Sequence, residues 1–198
     1  MARFVVFDLG GVLIDWDPRY LYRKLLPAEE ADAFIRDVVP FDWNIQMDAG
    51  KPFAEAIAER VSAHPEHAEL LQAYIERWDE MLGGSIDGTV EILEELSATG
   101  VPLFALTNWS AETFHHAEAR FPFLNHFRDI LVSGRERMKK PNPEIYRRLL
   151  ERNQLSSNEG VFIDDTLPNV HAAEGVGMTG IHFKSPHQLR LALGELLV

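Results

Sequence analysis

The chain has 198 residues, 46% hydrophobic and 25% charged, enough for one α/β domain with a smaller insertion and too apolar for wholesale disorder. Its 31 Asp and Glu against 19 Lys and Arg give a net charge of −12, which repels phosphate backbones and sets nucleic acid aside as a partner. Cysteine is absent, which excludes a disulfide framework, a thiol nucleophile and a cysteine-ligated metal.

The first apolar run, Phe4-Val5-Val6-Phe7, stops at Asp8 and predicts a strand buried on both faces. It is too short for a secretory signal, and no run approaches the length of a membrane helix, so a soluble cytoplasmic protein without a membrane partner is expected. From Trp16 to Leu82 the pattern turns helical, over residues 20–26, 28–38, 53–61 and 67–81, with no convincing strand. Gly50-Lys51-Pro52 and His64-Pro65 interrupt this stretch, and Gly83-Gly84 closes it as a hinge. It is expected to form a helical cap over residues 16–82, inserted into a core made of residues 1–15 and 83–198.

Beyond it, helices and apolar runs alternate. Val90, Leu93 and Leu96 mark a helix that stops at Gly100, and a strand over 102–106 ends at Thr107-Asn108. A strand over 129–132 ends at Ser133-Gly134, and a helix spans 143–150. A strand over 160–163 ends at Asp164-Asp165, a helix spans 169–176, and a last strand covers 180–183. This alternation predicts an α/β fold with a doubly wound parallel sheet, whose ligands bind beyond the carboxyl ends of the strands.

The polar tips of those strands are the candidate chemistry. Asp8 precedes Leu9-Gly10-Gly11, where the glycines let the backbone turn tightly against a ligand and the carboxylate can act as nucleophile or metal ligand. Thr107-Asn108 offers a hydroxyl and backbone amides to a phosphate oxygen. Lys140 precedes Pro141 and a helix start at Pro143-Glu144, so its ammonium can neutralise a phosphate or steady a nucleophilic carboxylate. Asp164-Asp165 puts two carboxylates side by side, which repel unless a cation compensates, and magnesium prefers such oxygen ligands. Asn169 can hold a metal-bound water or orient a ligand. Singly, each of these also reads as a turn residue, a helix cap or a solvated side chain. The pairs His64/His67 and His115-His116 read as solvated or structural.

Taken in order, FDLGGVLID, LTNWS, KKPNPEIY and FIDDTLPN resemble the four motifs of the haloacid dehalogenase-like hydrolase superfamily, and the helical insertion stands where its members carry a cap. The resemblance implies a magnesium-dependent phosphatase acting on a small phosphorylated metabolite, as monomer or homodimer. Asp8 would attack phosphorus and form an aspartyl-phosphate. The Gly10 carbonyl and Asp165 would hold Mg2+ with Asp8, and Asp164 would lie in or near that shell. Thr107 and the Asn108 amide would bind phosphoryl oxygens, and Lys140 would stabilise their charge. Phosphatases of the superfamily usually carry a second Asp two residues after the nucleophile, as general acid and base. Gly10 stands there instead, as it does in bacterial sugar-1-phosphate phosphatases, which points to α-D-glucose 1-phosphate or a similar sugar phosphate. Two alternatives accompany this reading. One is a 2-haloacid dehalogenase, which needs no metal; the other is a catalytically weak protein that binds a phosphometabolite or a protein partner as a regulator. Caps in the superfamily set specificity, which makes Phe41, Trp43, Asn44 and Gln46, with Trp109 beside the second motif, the candidate specificity residues.

Overall fold

Four apolar residues without a polar break need cover on both faces, and Phe4–Phe7 receives it as strand β1. The computed structural model describes residues 3–196. After β1 come β2 (Ile14–Trp16) and the helices α1 (Arg19–Tyr22), α2 (Ala28–Asp37), α3 (Phe41–Asp48), α4 (Phe53–Ala63) and α5 (Ala68–Glu76). Strand β3 (Leu82–Ser85), helix α6 (Asp87–Ala98), strand β4 (Leu103–Thr107), helix α7 (Phe114–Arg120) and strand β5 (Asp129–Val132) follow. The chain ends with α8 (Ser133–Glu136), α9 (Pro143–Arg152), β6 (Gly160–Asp164), α10 (Leu167–Gly175), β7 (Thr179–His182) and α11 (Pro186–Leu196).

Five strands form one parallel sheet in the order β5-β4-β1-β6-β7, so the doubly wound sheet expected from the alternation of runs is present. Val5 pairs with Leu103 on one side and Val161 on the other. The chain runs outward from β1 through β4 to β5 and then crosses to β6, so the strand order reverses at β1. A crevice opens at such a reversal, and Asp8 follows β1 directly into it. Alternate side chains of β1 feed two cores. Val5 and Phe7 join the cluster that continues into α1–α5, while Phe4 and Val6 pack with Ile145, Tyr146 and Leu149 of α9.

The stretch between β2 and β3 holds the five helices α1–α5, and its ends are tied by the antiparallel ribbon of these two strands, with Ile14 opposite Ser85 and Asp15 opposite Gly84. Gly83-Gly84, read as a hinge, therefore lies within a strand. A side chain on Gly83 would meet the Asp15 carboxylate at 2.3 Å, so glycine permits the close approach of the two chains. The first helix stops at Tyr22 rather than 26, ahead of Pro27, and the helix expected to reach 81 ends at Glu76 and continues as a 3₁₀ turn, Trp78–Met81. Helix α3 was not foreseen. It starts after Pro40 and sends Trp43 and Met47 into the helical layer, where Trp43 meets Tyr74 edge-on at 5.0 Å. Tyr22 and Phe34 pack beside them at 4.6 Å. Among the described residues no helix is long and apolar enough to cross a membrane.

Candidate active site

The parallel sheet delivers Asp8, Thr107 and Asp164 to one edge because each stands at or just past the carboxyl end of its strand. Lys140 arrives from the loop before α9, whose start is fixed by the Asn142 side chain accepting from the Glu144 N–H at 3.0 Å, with Pro143 as the first helical residue. Its side chain is fully buried. The ammonium lies 2.8 Å from Asp8 Oδ2 and 2.7 Å from Asp164 Oδ2. Burial pulls its pKa down, but Asp164 and Asp8 outweigh that and hold it above the ordinary lysine value.

Asp8 is pushed the other way. Desolvation raises its carboxyl well above the usual range, Lys140 pulls it back, and Asp164 and Asp165 add repulsion. Its Oδ1 accepts the Leu9 N–H at 2.7 Å, which fixes the rotamer and leaves Oδ2 facing Lys140. Asp164 is saturated: besides Lys140, it accepts the Thr166 N–H at 2.8 Å and the Asn169 amide at 3.0 and 3.1 Å. Asn169 therefore orients Asp164 directly, and Tyr146 holds the Asn169 carbonyl in turn at 2.8 Å. Asp165 is exposed by comparison and accepts the Thr166 hydroxyl at 3.3 Å and its own backbone N–H. Burial and then Asp164 raise its pKa. Its Oδ2 lies against Gly11, where a Cβ would collide at 2.3 Å; with φ at +72°, that position takes glycine on two counts.

Oxygens of Asp8, Asp164 and Asp165 all lie within 4.8 Å of one another. Three carboxylates against one ammonium leave an excess negative charge that a divalent cation would balance, and an all-oxygen donor set suits a hard ion such as Mg2+. The residues present therefore fit that ion, and Gly10 lines the same wall.

Thr107 is buried, and its hydroxyl has no partner among the described residues. An orphan hydroxyl costs about 1–3 kcal/mol, which a phosphoryl oxygen would recover. Asn108 has a task the sequence did not reveal. Its carbonyl oxygen accepts the Lys140 N–H at 2.9 Å and its amide donates to the Lys140 carbonyl at 3.1 Å, so it clamps the backbone that aims the ammonium.

Above this floor lies a cavity of about 540 Å³. One face of α3 lines it, with Phe41, Asn44, Ile45 and Asp48 at i, i+3, i+4 and i+7, together with Trp16, Trp78 and Trp109. Phe41, Asn44 and Trp109 were expected there; Trp16, Ile45, Asp48 and Trp78 were not. Trp43 does not reach the cavity because it lies on the opposite side of α3, and Gln46 points to solvent beside Lys51. The recurrence at 41, 44, 45 and 48 was the signal that could have found the lining face. Trp78 packs on Trp109 at 5.3 Å and stacks on His116 at 5.8 Å. The indole N–H groups of Trp16, Trp78 and Trp109 are buried without an acceptor among the described residues.

Known proteins share this architecture. The profile of the haloacid dehalogenase-like hydrolases matches residues 41–183. The chain is 38% identical to the sesquiterpene phosphatase astK of Aspergillus oryzae, over 98% of this chain and 96% of that one. Among solved structures, a HAD-like family hydrolase of Porphyromonas gingivalis superposes with a TM-score of 0.75 at 22% identity, covering 100% of this chain and 98% of its own. A HAD family enzyme of Bacteroides thetaiotaomicron, captured with magnesium and inorganic phosphate, gives 0.72 at 20% identity, with 93% and 96% covered. At these identities the two structures speak for the fold.

Proposed function

The chain belongs to the haloacid dehalogenase-like hydrolases, enzymes acting here on phosphoric monoesters, and from that membership we propose a cytoplasmic, magnesium-dependent phosphatase that works through an aspartyl-phosphate on Asp8 and prefers a substrate with an apolar carbon skeleton. The observation that carries the reading is the meeting of Asp8, Lys140, Asp164 and Asp165 at one point beneath a cavity. Asp8 attacks phosphorus. The Thr107 hydroxyl donates to a phosphoryl oxygen, and Lys140 stabilises the charge that builds there. Asp164 keeps the ammonium in place. Asp8, Asp165 and the Gly10 carbonyl would hold magnesium, with Asp164 beside them, and the ion when bound would supply Lewis-acid stabilisation of the phosphoryl oxygens.

The metal has a readout independent of turnover. Magnesium at a hundredfold excess over its Kd stabilises by about 2.7 kcal/mol, or roughly 5–10 °C in melting temperature for a chain of this size. Chelator is expected to reverse the shift and Asp165→Asn to remove it. A melting curve indifferent to magnesium would contradict the assignment.

The wall decides the substrate class. Trp16, Phe41, Ile45, Trp78 and Trp109 offer hydrophobic surface, suited to an isoprenoid alcohol of the kind named for the Aspergillus relative. The second reading, a sugar phosphate, draws on the three unpaired indole N–H groups and on Asn44, which would meet hydroxyls. Phosphate release from farnesyl phosphate and α-D-glucose 1-phosphate separates them. The apolar ester is expected to win by at least tenfold in kcat/KM. Phe41 is 64% exposed at the cavity, so Phe41→Ala spares the fold and should cost roughly tenfold or more on the apolar ester alone. Preference for the sugar ester would reverse the assignment, and metal-free halide release from 2-haloacids without phosphate release would establish the dehalogenase.

A further inference from the structure

Transfer of a phosphoryl group from an alkyl ester expels an alkoxide that needs a proton, and the water that later frees the group must lose one. The residues assigned so far cannot supply it. Lys140 is shared by Asp8 and Asp164, Asp164 is saturated with donors, Asp165 belongs to the cation set, and Gly10 has no side chain. Among the described residues, Asp48 is the remaining titratable side chain on the cavity wall. Resting on the phosphatase reading above, we propose that Asp48 is the general acid and base of the reaction.

The first step forms a bond from Asp8 to phosphorus and breaks the ester P–O bond. The electron pair stays on the departing oxygen, which takes the proton of the Asp48 carboxyl and leaves as an alcohol. In the second step water adds to phosphorus and gives its proton to the Asp48 carboxylate. The bond to Asp8 breaks, its electron pair returns to the carboxylate, and inorganic phosphate departs. Both aspartates are then as they began.

The position of Asp48 is built rather than incidental. The residue closes α3 and reaches across to the sheet: the Ser133 hydroxyl donates to its main-chain carbonyl at 2.5 Å and accepts the Trp109 N–H at 2.9 Å. This ties Asp48 to the segment just after β4, next to Thr107 and Asn108. Asn44 donates to its Oδ2 at 3.1 Å, and the Tyr74 hydroxyl, donating to Asn44 Oδ1 at 2.7 Å, fixes which way that amide faces. The groups facing the carboxyl are Tyr74 from α5, the Ser110 backbone after β4, and Lys139 and Lys140 before α9. Asp48 is only 7% exposed. Burial pushes its pKa up to about 7, against the downward pulls of Ser110, Lys139 and Lys140. A carboxyl in that range carries its proton into the first step at neutral pH and can take one back in the second.

The test compares octyl phosphate, whose alkoxide needs a proton, with p-nitrophenyl phosphate, whose phenolate leaves without one. Asp48→Asn is expected to lower kcat/KM on octyl phosphate about 10²–10⁴-fold. On p-nitrophenyl phosphate it should keep a burst of about one equivalent, followed by slow turnover. The wild-type kcat/KM on octyl phosphate should fall as pH rises through about 7, where Asp48 loses its proton, and the variant should lack that fall. Gly10 lines the same cavity, and a Cβ there would meet nothing within 4 Å, so adding Gly10→Asp to Asp48→Asn should restore part of the octyl rate. Equal losses on both substrates, burst included, or no loss on either would overturn the role of Asp48 while leaving the phosphatase standing. A folded wild type that released phosphate from neither ester would end both.

Discussion

Asp8→Asn is expected to abolish phosphate release, by on the order of 10⁴–10⁶-fold, the scale of removing a nucleophile from a concerted site. The substitution changes no volume, so the loss reports chemistry rather than packing. Its amide can still accept the Leu9 N–H, but its nitrogen then turns toward the Lys140 ammonium that Oδ2 now meets at 2.8 Å. The same change removes a carboxylate that desolvation and its neighbours Asp164 and Asp165 already disfavour. Stability is therefore expected to change little while activity vanishes. The measurement is phosphate release with magnesium, alongside a melting curve and mass analysis of acid-quenched peptides. Wild type should carry a phosphoryl adduct on the peptide containing Asp8. Activity within tenfold of wild type would place the nucleophile elsewhere.

What the sequence disclosed follows from where its constraints are local. A carboxylate at the end of a run buried on both faces is conspicuous, because such runs admit no charge in their interior. Asp8 and Asp164 announce themselves that way, and Lys140 does so by standing just ahead of a proline-led helix start. The division of labour between Asp164 and Asp165 needed the structure, since it turns on which carboxylate Lys140 and Asn169 reach. Helix α3 was hidden for a definite reason. Phe41, Trp43, Ile45 and Met47 alternate with polar residues, which is the period of a strand. The helix tolerates this because apolar residues serve both of its sides: Trp43 and Met47 are buried in the helical layer, while Phe41 and Ile45 line the cavity. Asp48, one polar residue among many in a helical stretch, carries no signal of its own in the sequence, and the approach of Ser133, Ser110 and the Lys139–Lys140 loop encloses it. The β2–β3 ribbon was out of reach for another reason, being three and four residues long with two glycines in it.

Lys140→Ala is expected to be the most damaging change to the fold. The side chain is 0% exposed and bridges two carboxylates, so its loss leaves Asp8 and Asp164 facing each other without a cation. Breaking a buried pair by removing one partner costs about 3–5 kcal/mol, or roughly 6–20 °C in melting temperature for a chain of this size. The carboxylates would answer by binding a proton, which raises the pKa of the pair above its unfolded value. Stability gained from that proton is present at low pH and lost as pH rises through the raised pKa. The deficit against wild type should therefore grow from pH 5 to pH 8 in chelator, and magnesium should recover part of it by cancelling the same charge. Lys140→Met separates charge from volume, because it fills the slot without the ammonium. It should relieve the packing loss yet keep the pH slope, and its turnover should fall about 10²–10³-fold, the cost of removing one preorganised stabiliser of transition-state charge. Lys140→Arg is expected to fail as well, since a planar guanidinium does not replace a point charge held at 2.7 and 2.8 Å in a sealed slot. Wild-type melting and turnover in Lys140→Met would mean that the lysine serves packing alone, and the electrostatic account of the site would fall with it.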